Sequence, residues 1–231
     1  MERDNTTLKR TKIAPSLLTA DQSCLGIACA QAEKAGADYI HVDVIDGQFA
    51  PNLTVGPGVV KDIRPHTTLP LDVHLMVVEP GELISPFVRS GADILTVHFE
   101  ACANPLALVN QIKNDGARAG IAINPDTPLE KISLLLDKLD RLLIMSVFPG
   151  FAGQKMIKET LLKLSEARQT IDRLELNLEL AIDGGINPDN ACETVNAGAD
   201  VLAVGSAAFN NSRTIEESLS LFQDKLSLLS R

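Results

Sequence analysis

Apolar residues fall along this 231-residue chain in short runs, separated by segments whose apolar positions recur at helical spacing. The runs predict strands over Lys12–Pro15, Tyr39–Val44, Leu71–Met76, Ile94–His98, Ala117–Ile123, Leu142–Val147, Leu178–Asp183 and Val201–Val204. Between them, Ser23–Ala35, Pro105–Asp115, Leu129–Leu139, Lys155–Leu174 and Asn190–Ala197 have the spacing and composition of helices. Strands alternating with helices imply parallel pairing through right-handed crossovers. Eight such units in this length predict an α/β fold of the (β/α)8 TIM-barrel type. The pattern divides the chain into a polar N-terminal tail, residues 1–11, and one barrel domain, residues 12–231. Three segments, 34–38, 89–93 and 196–200, end in Gly-Ala-Asp. Each is read as a helix stop with glycine in the left-handed conformation, followed by strand entry.

Composition narrows the class of protein. Hydrophobic residues make up 45% and charged residues 22%, ordinary for a soluble globular chain. The net charge of -9 leaves no basic excess to displace counterions, which argues against nucleic acid as a partner. No apolar run reaches the roughly 20 residues that cross a bilayer, and residues 1–12 lack the apolar core of a signal peptide. A cytoplasmic location with no membrane partner is therefore expected. Cys24, Cys29, Cys102 and Cys192 show no Cys-x-x-Cys spacing and are read as reduced thiols.

In a barrel of this kind the reacting groups sit at the C-terminal ends of the strands. The second strand places His41 and Asp43 on one face, since residues two apart point the same way. The pair could bind a divalent ion or move a proton, or form a buried hydrogen bond. The third strand adds an inward His74, in step with Asp72 and Met76, and the seventh ends at Asp183 before Gly184 and Gly185. His98 and Glu100 end the fourth strand and fit a supporting role behind the cavity better than a place in its lining. Ser16, after the first strand, could bond a substrate hydroxyl or cap the turn. Gly150 and Gly153 mark a loop whose backbone can approach an anion closely. Gly205 and Ser206, read as opening a helix after the eighth strand, join Gly185 in predicting a phosphate site.

Together His41, Asp43, His74 and Asp183 form a mixed nitrogen and oxygen set suited to Zn, Fe, Mn or Co, and the set does not choose among these divalent ions. Two carboxylates facing one another suit inversion at carbon, one removing a proton and the other returning one to the opposite face. A cation that stabilises the enediolate makes that proton acidic enough to remove.

With these residues in place, the chain resembles the ribulose-phosphate 3-epimerase family from about Lys12 onward. The likeness rests on residues 16–21 (SLLTAD), 41–52 (HVDVIDGQFAPN), 72–77 (DVHLMV), 145–154 (MSVFPGFAGQ), 183–186 (DGGI) and 204–207 (VGSA). The resemblance implies conversion of D-ribulose 5-phosphate to D-xylulose 5-phosphate, within the pentose phosphate pathway, with no organic cofactor. By position it implies His41, Asp43, His74 and Asp183 as ligands of one divalent metal ion, with Asp43 and Asp183 as the catalytic acceptor and donor. Substrate contacts are implied for Ser16, His74, Met76 and Met145. The phosphate falls to Gly150, Phe151, Ala152 and Gly153, to Gly184 and Gly185, and to Gly205 with Ser206. Barrels of this kind commonly assemble, so a homo-oligomer is expected. Three positions depart from the family pattern: Ile45 replaces a methionine, Ala152 a glycine, and Phe148 a polar residue. These keep open the same chemistry on a hexulose 6-phosphate such as D-allulose 6-phosphate. A hexulose-phosphate lyase fits poorly, because Asp72-Val73-His74 lacks the lysine of an Asp-x-Lys pair. Both carboxylates being present weighs against a non-catalytic sugar-phosphate binder.

Overall fold

A computed structural model describes residues 10–230. The tail expected over residues 1–11 therefore lies outside the described residues, apart from Arg10 and Thr11. Eight parallel strands form one sheet: β1 (Lys12–Pro15), β2 (Ile40–Ile45), β3 (Leu71–Met76), β4 (Ile94–His98), β5 (Arg118–Ile123), β6 (Arg141–Met145), β7 (Glu179–Asp183) and β8 (Val201–Val204). Their order around the sheet is β1-β8-β7-β6-β5-β4-β3-β2. The ring closes between β1 and β2 through a parallel bridge from Ser16 to His41. The backbone N–H groups of Asp38 and Tyr39 add to it by donating to the Ile13 carbonyl at 2.9 and 3.4 Å. This is the (β/α)8 barrel that the hydrophobic pattern predicts.

Helices lie between the strands: α1 (Leu25–Lys34), α2 (Pro57–Ile63), α3 (Gly81–Arg89), α4 (Pro105–Asn114), α5 (Thr160–Arg173), α6 (Ala191–Asn196) and α7 (Ile215–Ser227). Their buried faces and the outward residues of the strands form the main apolar core, in which Val42, Val73, Leu95 and Ile121 are fully or almost fully covered. A second, smaller cluster fills the barrel interior, with Ala14, Ile94, Leu143 and Val201 among its members. The helix expected over Leu129–Leu139 is not one. The chain there makes two 3-10 turns, Leu129–Ile132 and Leu136–Lys138. Leu129, Ile132 and Leu135 are buried at a strict spacing of three while Leu134 is 90% exposed, and side chains three apart eclipse in a 3-10 turn. Among the described residues, no helix is long and apolar enough to cross a membrane.

The Gly-Ala-Asp punctuation has a structural cause. Gly36, Gly91 and Gly198 have φ of +84°, +107° and +116°, the left-handed range that a side chain would strain. The aspartate that follows grips the start of the preceding strand at two points. Asp38 donates its N–H to the Ile13 carbonyl and accepts the Ile13 N–H on its carboxylate, both at 2.9 Å. Asp93 does the same with Leu71, and Asp200 with Leu180. A fourth clasp, Asp140 on Ala119, completes the series without the Gly-Ala signature.

Candidate active site

Alternation along β2 and β3 turns His41, Asp43, His74 and Met76 inward, and β7 delivers Asp183 at its last residue. One ligand-capable atom from each of His41, Asp43, His74 and Asp183 falls within 4.8 Å of the others. Asp43 is the hub. Its Oδ1 lies 3.1 Å from His74 Nδ1 and 3.2 Å from His41 Nε2, while its Oδ2 accepts the Ser16 hydroxyl at 2.5 Å. His74 Nδ1 is also 4.0 Å from Asp183 Oδ2.

Both imidazoles are held from behind. His41 Nδ1 pairs with Asp72 Oδ2 at 2.8 Å, and the buried Arg141 guanidinium contacts that same oxygen at 2.5 Å. His74 Nε2 faces His98 Nε2 at 2.9 Å. With its Nδ1 turned to Asp72, His41 presents a fully buried Nε2 whose near acceptor, Asp43 Oδ1 at 3.2 Å, is not in hydrogen-bond geometry. A buried nitrogen without a partner, beside a second imidazole and two carboxylates, is a donor set that fits a divalent transition ion.

The surroundings drive the two carboxylates apart. Burial alone would raise the pKa of Asp43, but the charge of His41 first, and then the contact with His74, outweigh it and hold the group well below the usual carboxylate range. Asp183 is pushed up to about 6 by burial and by the negative charge of Asp43. Burial works against protonation of His41, yet Asp43 and Asp72 raise its pKa well above that of a free imidazole. Separated in this way, Asp43 stays ionised and Asp183 is the one that takes up a proton as pH falls towards 6.

Above this cluster opens a cleft with Asp43 and Asp183 in its lining. His41 and His74 are absent from the lining, being 1% and 0% exposed. Ser16, Ile45, Met76 and Met145 surround the acids. Of the two roles expected of Ser16 the turn cap is present, its oxygen accepting the Leu18 N–H while its hydroxyl donates to Asp43. The rest of the lining is rich in glycine. Gly150, Phe151, Ala152 and Gly153 lie on the loop after β6, Gly184 and Gly185 follow β7, and Gly205 and Ser206 follow β8. The helix expected to begin at Gly205 is a single turn, in which Ala208 and Phe209 donate to the Gly205 carbonyl, and regular helix resumes only at Ile215.

This geometry can be set beside known proteins. Residues 12–209 match the model of the ribulose-phosphate 3 epimerase family. The chain belongs to that family. It is 46% identical over 202 residues to ribulose-phosphate 3-epimerase of Bacillus subtilis, covering 87% of this chain and 93% of the relative. The Escherichia coli K12 enzyme of the same name is 45% identical, with 88% and 91% covered. Among solved structures, 3-keto-L-gulonate-6-phosphate decarboxylase of Vibrio cholerae superposes with a TM-score of 0.69 at 17% identity, covering 95% of this chain and 98% of that one, a likeness of fold.

For an epimerase of this family, the interior holds two features beyond the supporting role expected of His98 and Glu100. One is an ionic cluster below the site, where Glu179 takes Arg141 at 2.9 Å, Arg118 at 3.2 Å and Lys12, with the Tyr39 hydroxyl donating at 2.9 Å. Its signal was visible: Asp72, Arg141 and Glu179 are charges set in apolar runs. The other is the nearness of His98 to His74, which depends on strand register and on no local motif.

Proposed function

We propose that this epimerase interconverts D-ribulose 5-phosphate and D-xylulose 5-phosphate, with Asp43 and Asp183 exchanging the C3 proton. The observation that carries the reading is that two carboxylates, Asp43 buried and Asp183 partly so, lie within 4.8 Å at the floor of one cleft and differ in proton affinity. Asp43, ionised, takes the proton from one face of C3. Asp183, whose proton affinity is raised to about 6, is the one of the pair that carries a proton to the other face, and the roles reverse in the back reaction. Ser16 holds the Asp43 carboxylate by donating its hydroxyl to Oδ2, so that its rotation costs no time in the encounter. His41, Asp43, His74 and Asp183 would hold a divalent ion, whose positive charge offsets the negative charge that develops on the substrate carbonyl oxygen. Gly184, Gly185, Gly205 and Ser206, with the loop 150–153, would receive the phosphate through backbone N–H groups. Family membership favours the pentulose over the hexulose phosphate.

Asp43→Asn and Asp183→Asn test the scheme. Each is expected to lower turnover by about 10²- to 10⁴-fold or more, with far-ultraviolet circular dichroism unchanged. In deuterated buffer Asp43→Asn should lose deuterium uptake at C3 of D-ribulose 5-phosphate, whereas Asp183→Asn, which keeps the base that removes that proton, should retain uptake without inversion. Turnover within tenfold of the parent in either folded variant would remove the two-base scheme.

A further inference from the structure

Behind the cluster runs a line of hydrogen bonds that the proton exchange above does not use. His74 and His98 face each other through their Nε2 atoms at 2.9 Å, so a single hydrogen lies between the two rings. On its other side, His98 Nδ1 is 3.1 Å from Glu100 Oε2. Glu100 Oε1 accepts the Asn124 backbone N–H at 2.8 Å and also the Thr127 hydroxyl. A backbone N–H only donates, which fixes Oε1 as an acceptor and turns Oε2 towards His98. Both histidines are 0% exposed, and the Phe49 ring packs on His98 with centroids 4.6 Å apart, so bulk water does not compete.

Hydrogen-bond parity then runs in one direction. A carboxylate facing His98 Nδ1 requires the proton on that nitrogen, which leaves His98 Nε2 bare. A bare Nε2 on His98 requires N–H at His74 Nε2. His74 Nδ1 is thereby left as a lone pair, and it is this atom that faces Asp43 at 3.1 Å and Asp183 at 4.0 Å. In the neutral ring these are two acceptors face to face, an arrangement that a cation between them satisfies.

We propose that Glu100 and His98 are positioning residues that set the tautomer of His74 and so present its Nδ1 lone pair to the divalent ion. The inference rests on the reading of the cluster as a cation site. Partners of this kind on metal-bound histidines commonly change affinity by about 10- to 100-fold when removed.

Glu100→Gln distinguishes tautomer control from mere packing. The Asn124 N–H still demands an oxygen, so the new amide must turn its NH₂ towards His98 Nδ1. His98 must then accept there and carry its proton on Nε2, His74 Nε2 must accept in turn, and an N–H is driven into the cation site. The experiment uses the full-length chain with Zn²⁺, read by chelator competition and by ¹⁵N resonances of the histidine rings. The parent is expected to show N–H at Nδ1 of His98 and at Nε2 of His74. The Glu100→Gln variant is expected to bind Zn²⁺ about 10- to 100-fold more weakly, with the His98 proton moved to Nε2. Zn²⁺ affinity within twofold of the parent, or a parent spectrum with His98 protonated on Nε2, overturns the relay while leaving the cation site standing. A parent that binds no Zn²⁺ overturns both. Should the variant fail to fold, the parent spectrum alone decides.

Discussion

Asp43 and Asp183 carry the same functional group within 4.8 Å of one another, and their neighbours give them opposite proton affinities. Asp43 has Ser16 and two imidazoles as partners, whereas Asp183 has burial and a like charge. At this scale the phosphate end is equally exacting. Gly185 has φ of +64°, and a Cβ there would lie 2.4 Å from the Met156 backbone nitrogen. Gly185→Ala must therefore displace the backbone on one side of the cleft. Its KM for the sugar phosphate is expected to rise by about tenfold or more, equivalent to about 1.4 kcal/mol, while kcat falls less. Steady-state kinetics with the fold checked by circular dichroism would reveal an unchanged KM, which would detach Gly185 from the phosphate. Much of this was readable from residues alone, because a histidine and an aspartate two apart in an apolar strand have few uses. The His74–His98 contact was not readable. It needs β3 and β4 in register, and register is a property of the sheet.

At the scale of elements, strands were legible and their connections less so. Strand ends follow the apolar runs to within two residues, as at β6, which spans 141–145 where 142–147 was expected. Helix α7 carries a Thr214–Glu217 capping box that the sequence displays openly. Helix α3 is nine residues long with Pro86 inside it, which weakens the pattern. The loops over the cleft are joined by side chains that periodicity does not reveal. Gln154 donates to the carbonyls of Phe148 and Phe151, and Asn52 on the β2 loop donates to the Gly150 carbonyl at 2.8 Å. Asn52→Ala removes the tie between loops at the loss of one hydrogen bond, about 0.5–1.5 kcal/mol. Amide exchange in residues 148–154 is expected to quicken by about 2- to 10-fold at that energy, with strand amides unaffected. Equal exchange in parent and variant would show that the loop is ordered without Asn52.

For the molecule as a whole, the barrel interior below the site is held by charge. Burial would raise the pKa of Glu179, but Arg141 first, then Lys12 and Tyr39, lower it to about 2. An unfolded glutamate titrates near 4.3, so the folded value is the lower one. The stability from this group is complete above about pH 4.3 and is lost as pH falls towards 2. Glu179→Gln is expected to destabilise the protein at pH 7 by about 3 kcal/mol, because Arg141 loses one of its two buried partners. The same variant should lose stability less steeply between about pH 4.5 and 2. Urea titrations across that range provide the check, and parallel pH profiles would place the acid sensitivity elsewhere.

The aspartate clasps have a further consequence. Asp38, Asp93, Asp140 and Asp200 each tie an even-numbered strand to the odd one before it, so the wall is built of four doublets. Each doublet holds its own seam. The chemistry respects no such division, since His41 and Asp43 come from the first doublet, His74 from the second and Asp183 from the fourth. A quarter or half of the ring can thus keep its internal ties and still own no reaction, and only circular closure turns four self-contained staves into one catalyst.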